Sequence, residues 1–334
     1  MQKSADAITT LQAGIDHSPA DETLSLMLAS IYTRNGDKAS AEKTLRASLT
    51  TNPNSTNLKL QLGIALLQNQ KPTEGEPLLH DLITTLTDPL QLNNAAYELA
   101  NANLDLPLAE TASKHSLDLL DEASNNGETG PNALARAALL VSAWDTYGWI
   151  LYRDNKIAEA EPWIRAAWRN GNSAEAGYHL AMILEKQNHL TEALDQLDLA
   201  FEGERGTNAA AVRKLIDDET EKLRKSAQST LKNKPTLELQ QQRTYKLSRG
   251  ALKPTGEGWA TVEVDVTTQG IAAFSIVSGD QSLQPLSDAV QHLNLDLQLP
   301  PASHAKLVRR GVLSCHTEPT CELVLVSTSS PPSS

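Results

Sequence analysis

A recurring pair of small residues constrains this chain more than any other feature. Ala29, Gly63, Ala96, Gly148 and Ala181 are each followed by a partner: Ala41, Gly75, Ala109, Ala160 and Ala193. The spacing is twelve residues in four pairs and thirteen in the third. Four positions later most copies place a large apolar residue, as Leu45, Leu79, Ile164 and Leu197, whereas the third has Ser113. Pro53 and Pro89 close two of the copies. A unit of two antiparallel helices, too small to bury a core alone, accounts for the pattern. Small residues mark where the helices cross, and bulky ones a turn away fill the space between neighbouring pairs. Proline ends the second helix.

The best copy is AWDTYGWILYRDNKIAEAEPWIRAAW at 143–168, where Trp144, Tyr147, Gly148 and Leu151 share one helical stripe. YHLAMILEKQNHLTEALDQLDLA follows as the next. These residues resemble the tetratricopeptide repeat. The resemblance implies a mainly α chain, an α-solenoid of about five repeats over residues 22–208. Ala7, Leu11 and Pro19 match only the second half of a repeat, so 1–21 reads as an incomplete one. The chain is therefore expected to be the tail of a longer solenoid, or a product with a late start. The register breaks at SNNGETGPNALARAALL, which predicts a loop over Ser124 to Pro131 and an early start to the next helix.

In such stacks the first helices line a concave groove that holds an extended or helical segment. By register the groove residues are Arg34, Asn93, Tyr97, Asn101, Asp145, Trp149, Tyr152, Arg153, Tyr178 and Lys186. Trp149 and Tyr152 offer apolar anchor area, and the Arg and Asn side chains can hydrogen-bond a peptide backbone. Packing between repeats is the competing role for Trp149 and Tyr97. The residues of the two-carboxylate clamp found in chaperone-binding members are not all present, so that specificity is not carried over.

Residues 209–232 read as an amphipathic helix capping the stack, with Val212, Leu215, Ile216, Leu223 and Leu231 facing in. Residues 209–242 are then cap and linker, with a short helix at TLELQQQ. From about Arg243 the hydrophobic period changes from helical to alternating. Thr244 to Leu247 predicts a first strand. In WATVEVDVT, Val262, Val264 and Val266 point inward, and Thr261, Glu263 and Asp265 outward. A turn at Gln269–Gly270 leads back through IAAFSIVSG. Leu283, Leu286, Ala289, Val290 and Leu293 fit a helix that Pro300–Pro301 stops. KLVRRGVLSC and CELVLVS close the sheet, joined by HTEPT. Arg309 and Arg310 read as preceding a strand and blunting a sheet edge.

The strand–strand–helix–strand–strand order, with VSGDQSLQPLSDAV followed by LPP, resembles the C-terminal domain of TonB-type proteins. This implies a small α+β domain at 243–328, an antiparallel sheet with one packed helix that binds segments by edge-strand pairing. SSPPSS at 329–334 reads as a disordered tail. LNNAAYELANANLDLPLAE resembles the repeats of bacterial proteins that carry a domain of unknown function 3857 and a transglutaminase-like domain upstream. That resemblance implies an exported, periplasmic protein whose catalytic domain lies outside this chain. A chain that stands alone would be cytoplasmic.

The net charge of −12 repels phosphate backbones and argues against nucleic acid as a partner. No apolar stretch approaches the roughly 20 residues of a membrane helix, and MQKSADAITT lacks a signal-peptide core. The two cysteines, Cys315 and Cys321, suit a hairpin disulfide or two free thiols. A Cys315–His316 nucleophile is disfavoured, because neighbours on a strand face opposite sides. A zinc set of Cys315, His316 and Cys321 with His304 or His292 can be assembled only on paper. The sequence thus points to a protein or peptide partner, with no enzyme activity, cofactor or metal expected.

Overall fold

The computed structural model describes residues 2–203, 209–226, 239, 241–248, 258–301, 303–316 and 320–328. The readings of Leu231, most of TLELQQQ, most of HTEPT and the 329–334 tail lie outside these residues. The chain divides into two compact units, Met1–Ser116 and Leu117–Ser334.

The first unit holds α1 (Gln2–His17), α2 (Glu22–Arg34), α3 (Lys38–Thr51), α4 (Thr56–Gln68), α5 (Pro72–Ile83), α6 (Pro89–Ala102) and the start of α7 (Leu106–Ser124). Several helices begin where a short polar side chain takes up an orphan N–H. Asp21 accepts from Thr23, Asp37 from Ser40, Ser55 from Leu58 and Asp88 from Gln91. Asn103, which ends α6, has a φ of 57°, a left-handed value that asparagine tolerates better than most residues. The helices pack as antiparallel pairs. A Cβ on Gly63 would lie 2.7 Å from Leu79, and one on Gly75 would lie 2.9 Å from the Gly63 carbonyl and 2.9 Å from Leu67. The start of α5 thus meets the end of α4, and the two backbones nearly touch. Ala29, Ala41, Leu45, Leu58, Leu62 and Leu66 join one buried cluster, so the core runs between successive pairs.

The second unit opens with the end of α7 and α8 (Gly130–Arg153), after a connection whose bounds match the predicted break. Then come α9 (Ile157–Gly171), α10 (Ala174–Lys186), α11 (Leu190–Phe201) and α12 (Ala209–Ser226). Gly148 repeats the close crossing: a Cβ there would meet Ile164 at 2.5 Å and the Ala160 carbonyl at 3.1 Å. On α12 the buried stripe is Val212, Ile216 and Leu223, at helical spacing. Leu215, expected to face in, lies one position off that stripe and is 46% exposed.

Five strands follow: β1 (Thr244–Ser248), β2 (Gly258–Thr267), β3 (Gly270–Gly279), β4 (Leu307–Cys315) and β5 (Thr320–Leu325). They form one antiparallel sheet in the order β1-β5-β4-β2-β3. Val262, Val264 and Val266 are buried as alternation predicts, among Leu283, Leu286, Val290, Leu295, Leu297, Leu313 and Leu323. The predicted helix over 283–293 is shorter than expected. A 3-10 segment, Gln281–Leu286, contains Pro285 and gives way to a brief α13 (Ser287–Gln291). Leu295 and Leu297 then enter the core from irregular chain in which Asp296 and Gln298 have positive φ.

Two expectations about polar residues are corrected. Arg309 and Arg310 lie inside β4, the central strand, and blunt no edge. Glu263, expected to face solvent, is buried, with Arg310 donating to it at 2.6 Å from the opposite position on β4. Arg309 and Arg310 face opposite sides of the strand: α9 meets the first, and Glu263 on β2 holds the second.

Helices of this unit are tied to the sheet and the chain beside it by hydrogen bonds. The fully buried Arg309 guanidinium donates to Asn170 Oδ1 at 2.7 Å and to the Val326 carbonyl at 2.9 Å. The Asn170 amide donates to the Leu297 carbonyl at 3.0 Å. Ser327 donates to the Gly171 carbonyl. At the end of α7, Asp121 accepts from the His304 N–H at 2.9 Å, and Ser124 Oγ accepts from the Lys306 N–H at 3.0 Å. Burial lowers the Arg309 pKa to about 10, as expected for a cation held by neutral acceptors alone.

Candidate functional site

In repeats of this length, residues about 34 positions apart lie side by side on successive first helices. Asp145 on α8 and His179 on α10 are such a pair. His179 Nδ1 lies 3.0 and 3.1 Å from the two Asp145 carboxylate oxygens, and both residues are buried. Burial disfavours the imidazolium, but the Asp145 carboxylate outweighs it and raises the His179 pKa above its ordinary value. The Trp149 ring stacks on the imidazole at 4.0 Å, and Tyr152 stacks on the indole at 4.9 Å. Arg153 sits over the same indole, 5.7 Å from its centroid.

Tyr152, at the outer end of this stack, is half-buried, as are Arg153 and Tyr178, and Lys186 on α10 is exposed. Burial, followed by the charge of Glu219, pushes the Tyr178 phenol up to about 12. Burial and then Glu185 raise Tyr152. From α12, Lys222 Nζ reaches Glu185 at 2.8 Å and Glu219 at 2.7 Å. The arrangement is a surface of aromatic and charged groups backed by a rigid buried stack.

The structure therefore gathers Asp145, Trp149, Tyr152, Arg153 and Tyr178 into one cluster. It buries Asp145 and Trp149, which support the surface and present little of themselves to solvent. His179 and Lys222 were missed in the sequence. The signal was available for the first, because its offset from Asp145 equals one repeat.

In the first unit Arg34 and Asn101 are exposed, Tyr97 is half-buried and Asn93 is buried. Gln91 donates to Asn57 at 2.7 Å and Asn57 donates to Glu22 at 3.4 Å, which links the first turns of α6, α4 and α2. At their other ends Gln68 donates to Glu98 at 2.5 Å. Glu42 accepts from Lys71, Arg46 and Asn69. Burial opposes its ionisation, but those three donors prevail and lower its pKa to about 2.

Cys315 and Cys321 face each other across β4 and β5, joined as a disulfide, with Cα atoms 4.3 Å apart. Their sulfurs bond each other, so no thiol remains for the zinc set or the nucleophile considered above. Among the described residues no group of three or more His, Cys, Asp or Glu is placed to hold a metal. No described helix is long and apolar enough to cross a membrane.

Some known proteins are similar to this chain. Among solved structures, the crystal structure of yeast Tom70 shares 14% identity with a TM-score of 0.42, covering 67% of this chain and 46% of that one. This chain thus spans just under half of Tom70. A Pseudomonas aeruginosa pilF structure shares 18% identity with a TM-score of 0.39, covering 63% of this chain and 90% of that one. No curated protein matches the sequence. Residues 1–56 match the tetratricopeptide repeat family.

Proposed function

We propose that this chain is a non-catalytic scaffold that binds a peptide or protein segment along the first helices of its repeats. In the second unit the contact surface is Tyr152, Arg153, Tyr178 and Lys186, on α8 and α10. One observation carries the reading. The half-buried Tyr152 ring stacks on buried Trp149, which stacks on the His179 ring that Asp145 holds, so the Tyr152 anchor stands preformed and loses little freedom on binding. Rigid aromatic and arginine anchors are what protein interfaces favour at their centres. The first unit offers Arg34, Tyr97 and Asn101 as a separate surface of the same kind. No reaction is proposed.

A photo-crosslinking residue at Tyr178 tests this, with the same residue at exposed Glu159 on α9 as control. The expected result is a discrete adduct in source-cell extract from position 178 alone. That adduct should vanish when Tyr152→Ala and Arg153→Glu are combined in a protein of unchanged helicity. Equal labelling at both positions, or an adduct indifferent to those substitutions, would reject the surface.

A second reading takes the chain as the positioning region of an exported transglutaminase-like enzyme. The bonded Cys315–Cys321 pair favours export, since disulfides persist in oxidising compartments. Protein purified from its native compartment with both thiols alkylatable before reduction would count against it.

A further inference from the structure

Lys222 occupies a position that a partner's side chain could take. Its ammonium lies between Glu185 on α10, 2.8 Å away, and Glu219 on α12, 2.7 Å away. Tyr152 and Tyr178, from two further turns of the same surface, both sense its charge together with those of the two carboxylates. The carboxylates are largely screened, with Glu185 23% and Glu219 13% exposed at the side chain, whereas Lys222 is 57% exposed. The receptor is therefore the more buried half of the contact, and the cation is the more exposed half.

We propose that this aromatic and acidic site accepts a lysine or arginine side chain of a basic peptide, and that Lys222 is its resident stand-in. The proposal rests on the binding surface described above and names the chemistry of its ligand. Two largely screened carboxylates suit an ammonium or guanidinium, to which they supply charge-assisted hydrogen bonds. The net charge of −12 adds a long-range attraction for a basic segment.

Exchange needs no unfolding. Val212, Ile216 and Leu223 keep α12 seated through buried contacts that do not include the ammonium. The Lys222 side chain can swing outward while Glu219 stays in place. A competitor tethered in the same chain lowers apparent affinity by the fraction of time it fills the site, so its removal should tighten binding.

The test uses the full chain and fluorescein-labelled alternating Gly-Lys and Gly-Glu peptides, followed by fluorescence anisotropy. Lys222→Ala should bind the Gly-Lys probe about ten-fold more tightly than the parent, as expected when a resident filling the site about nine-tenths of the time is removed. Glu185→Gln in the Lys222→Ala background should remove that gain, and Glu159→Gln, at an exposed position of α9, should not. Acetylating the probe's lysines should abolish binding. Unchanged affinity in Lys222→Ala, or equal losses from Glu185→Gln and Glu159→Gln, would overturn the proposal. If Tyr178 crosslinking still yields a discrete adduct in that case, only the basic-ligand inference fails and the binding surface stands. If the adduct is absent too, both fail.

Discussion

The His179 imidazole lies flat against the Trp149 indole, 4.0 Å away and 13° from parallel. Asp145 fixes the ring from its edge, so one histidine joins α8 to α10 by stacking and by charge. Its raised pKa sets the direction of a pH effect. A group whose folded pKa exceeds its unfolded value stabilises fully below the unfolded value, near 6.5 for histidine, and loses that contribution as pH rises through the folded pKa. Urea midpoints of the parent and His179→Asn should therefore differ most at acidic pH and converge toward alkaline pH. A gap that widens with rising pH would contradict the pairing.

Gly148→Ala should destabilise the second unit. Alanine gains about 1 kcal/mol of helix propensity over glycine. The new methyl, however, would sit 2.5 Å from Ile164 and 3.1 Å from the Ala160 carbonyl. Overpacking of this kind costs about 1–3 kcal/mol, and a backbone neighbour cannot move aside cheaply. A net loss of up to about 2 kcal/mol is expected in urea unfolding. Ile164→Ala removes the Cγ1 that the new methyl would meet, so the two changes together should cost less than their sum.

Asn170 and Arg309 should couple strongly. Asn170→Ala leaves a fully buried guanidinium without one of its two acceptors, a loss of about 3 kcal/mol. Arg309→Met removes the buried charge but leaves Asn170 and Val326 without their donor. The double variant Asn170→Ala, Arg309→Met should cost less than the two single changes added. A double-mutant cycle should give a coupling of about 1–3 kcal/mol. Simple additivity would mean that the bond contributes nothing net.

Reduction should weaken the sheet. A bridge spanning so few residues still removes loop-closure entropy from the unfolded chain, about 2 kcal/mol by the chain-entropy relation. Cys315→Ala with Cys321→Ala should lower the urea midpoint comparably, and reductant should then have no further effect.

The helix pairs were legible because their crossings demand small residues, and Gly63, Gly75 and Gly148 show how tight that demand is. The valines of β2 were legible because a buried strand must alternate. The polar contacts across the second unit were not legible. Arg309 looked like an edge charge because a sequence window contains no sign of Asn170, which lies 139 residues away. Glu263 looked solvated because Arg310, its partner, lies on another strand. The groove list mixed supporting and exposed positions, since helical register fixes which face a residue occupies but not how deep a neighbouring ring will cover it.

Asp121 and Asn170 have one more consequence, and it concerns order in time. Their partners, Ser303 and His304 just before β4 and Arg309 within it, come 182, 183 and 139 residues later. During synthesis the helices emerge first, with these two side chains facing water. Only after the final strand leaves the ribosome can the sheet seat itself on α7 and α9, so a truncated chain would display a wet, unfinished flank where the complete one is sealed.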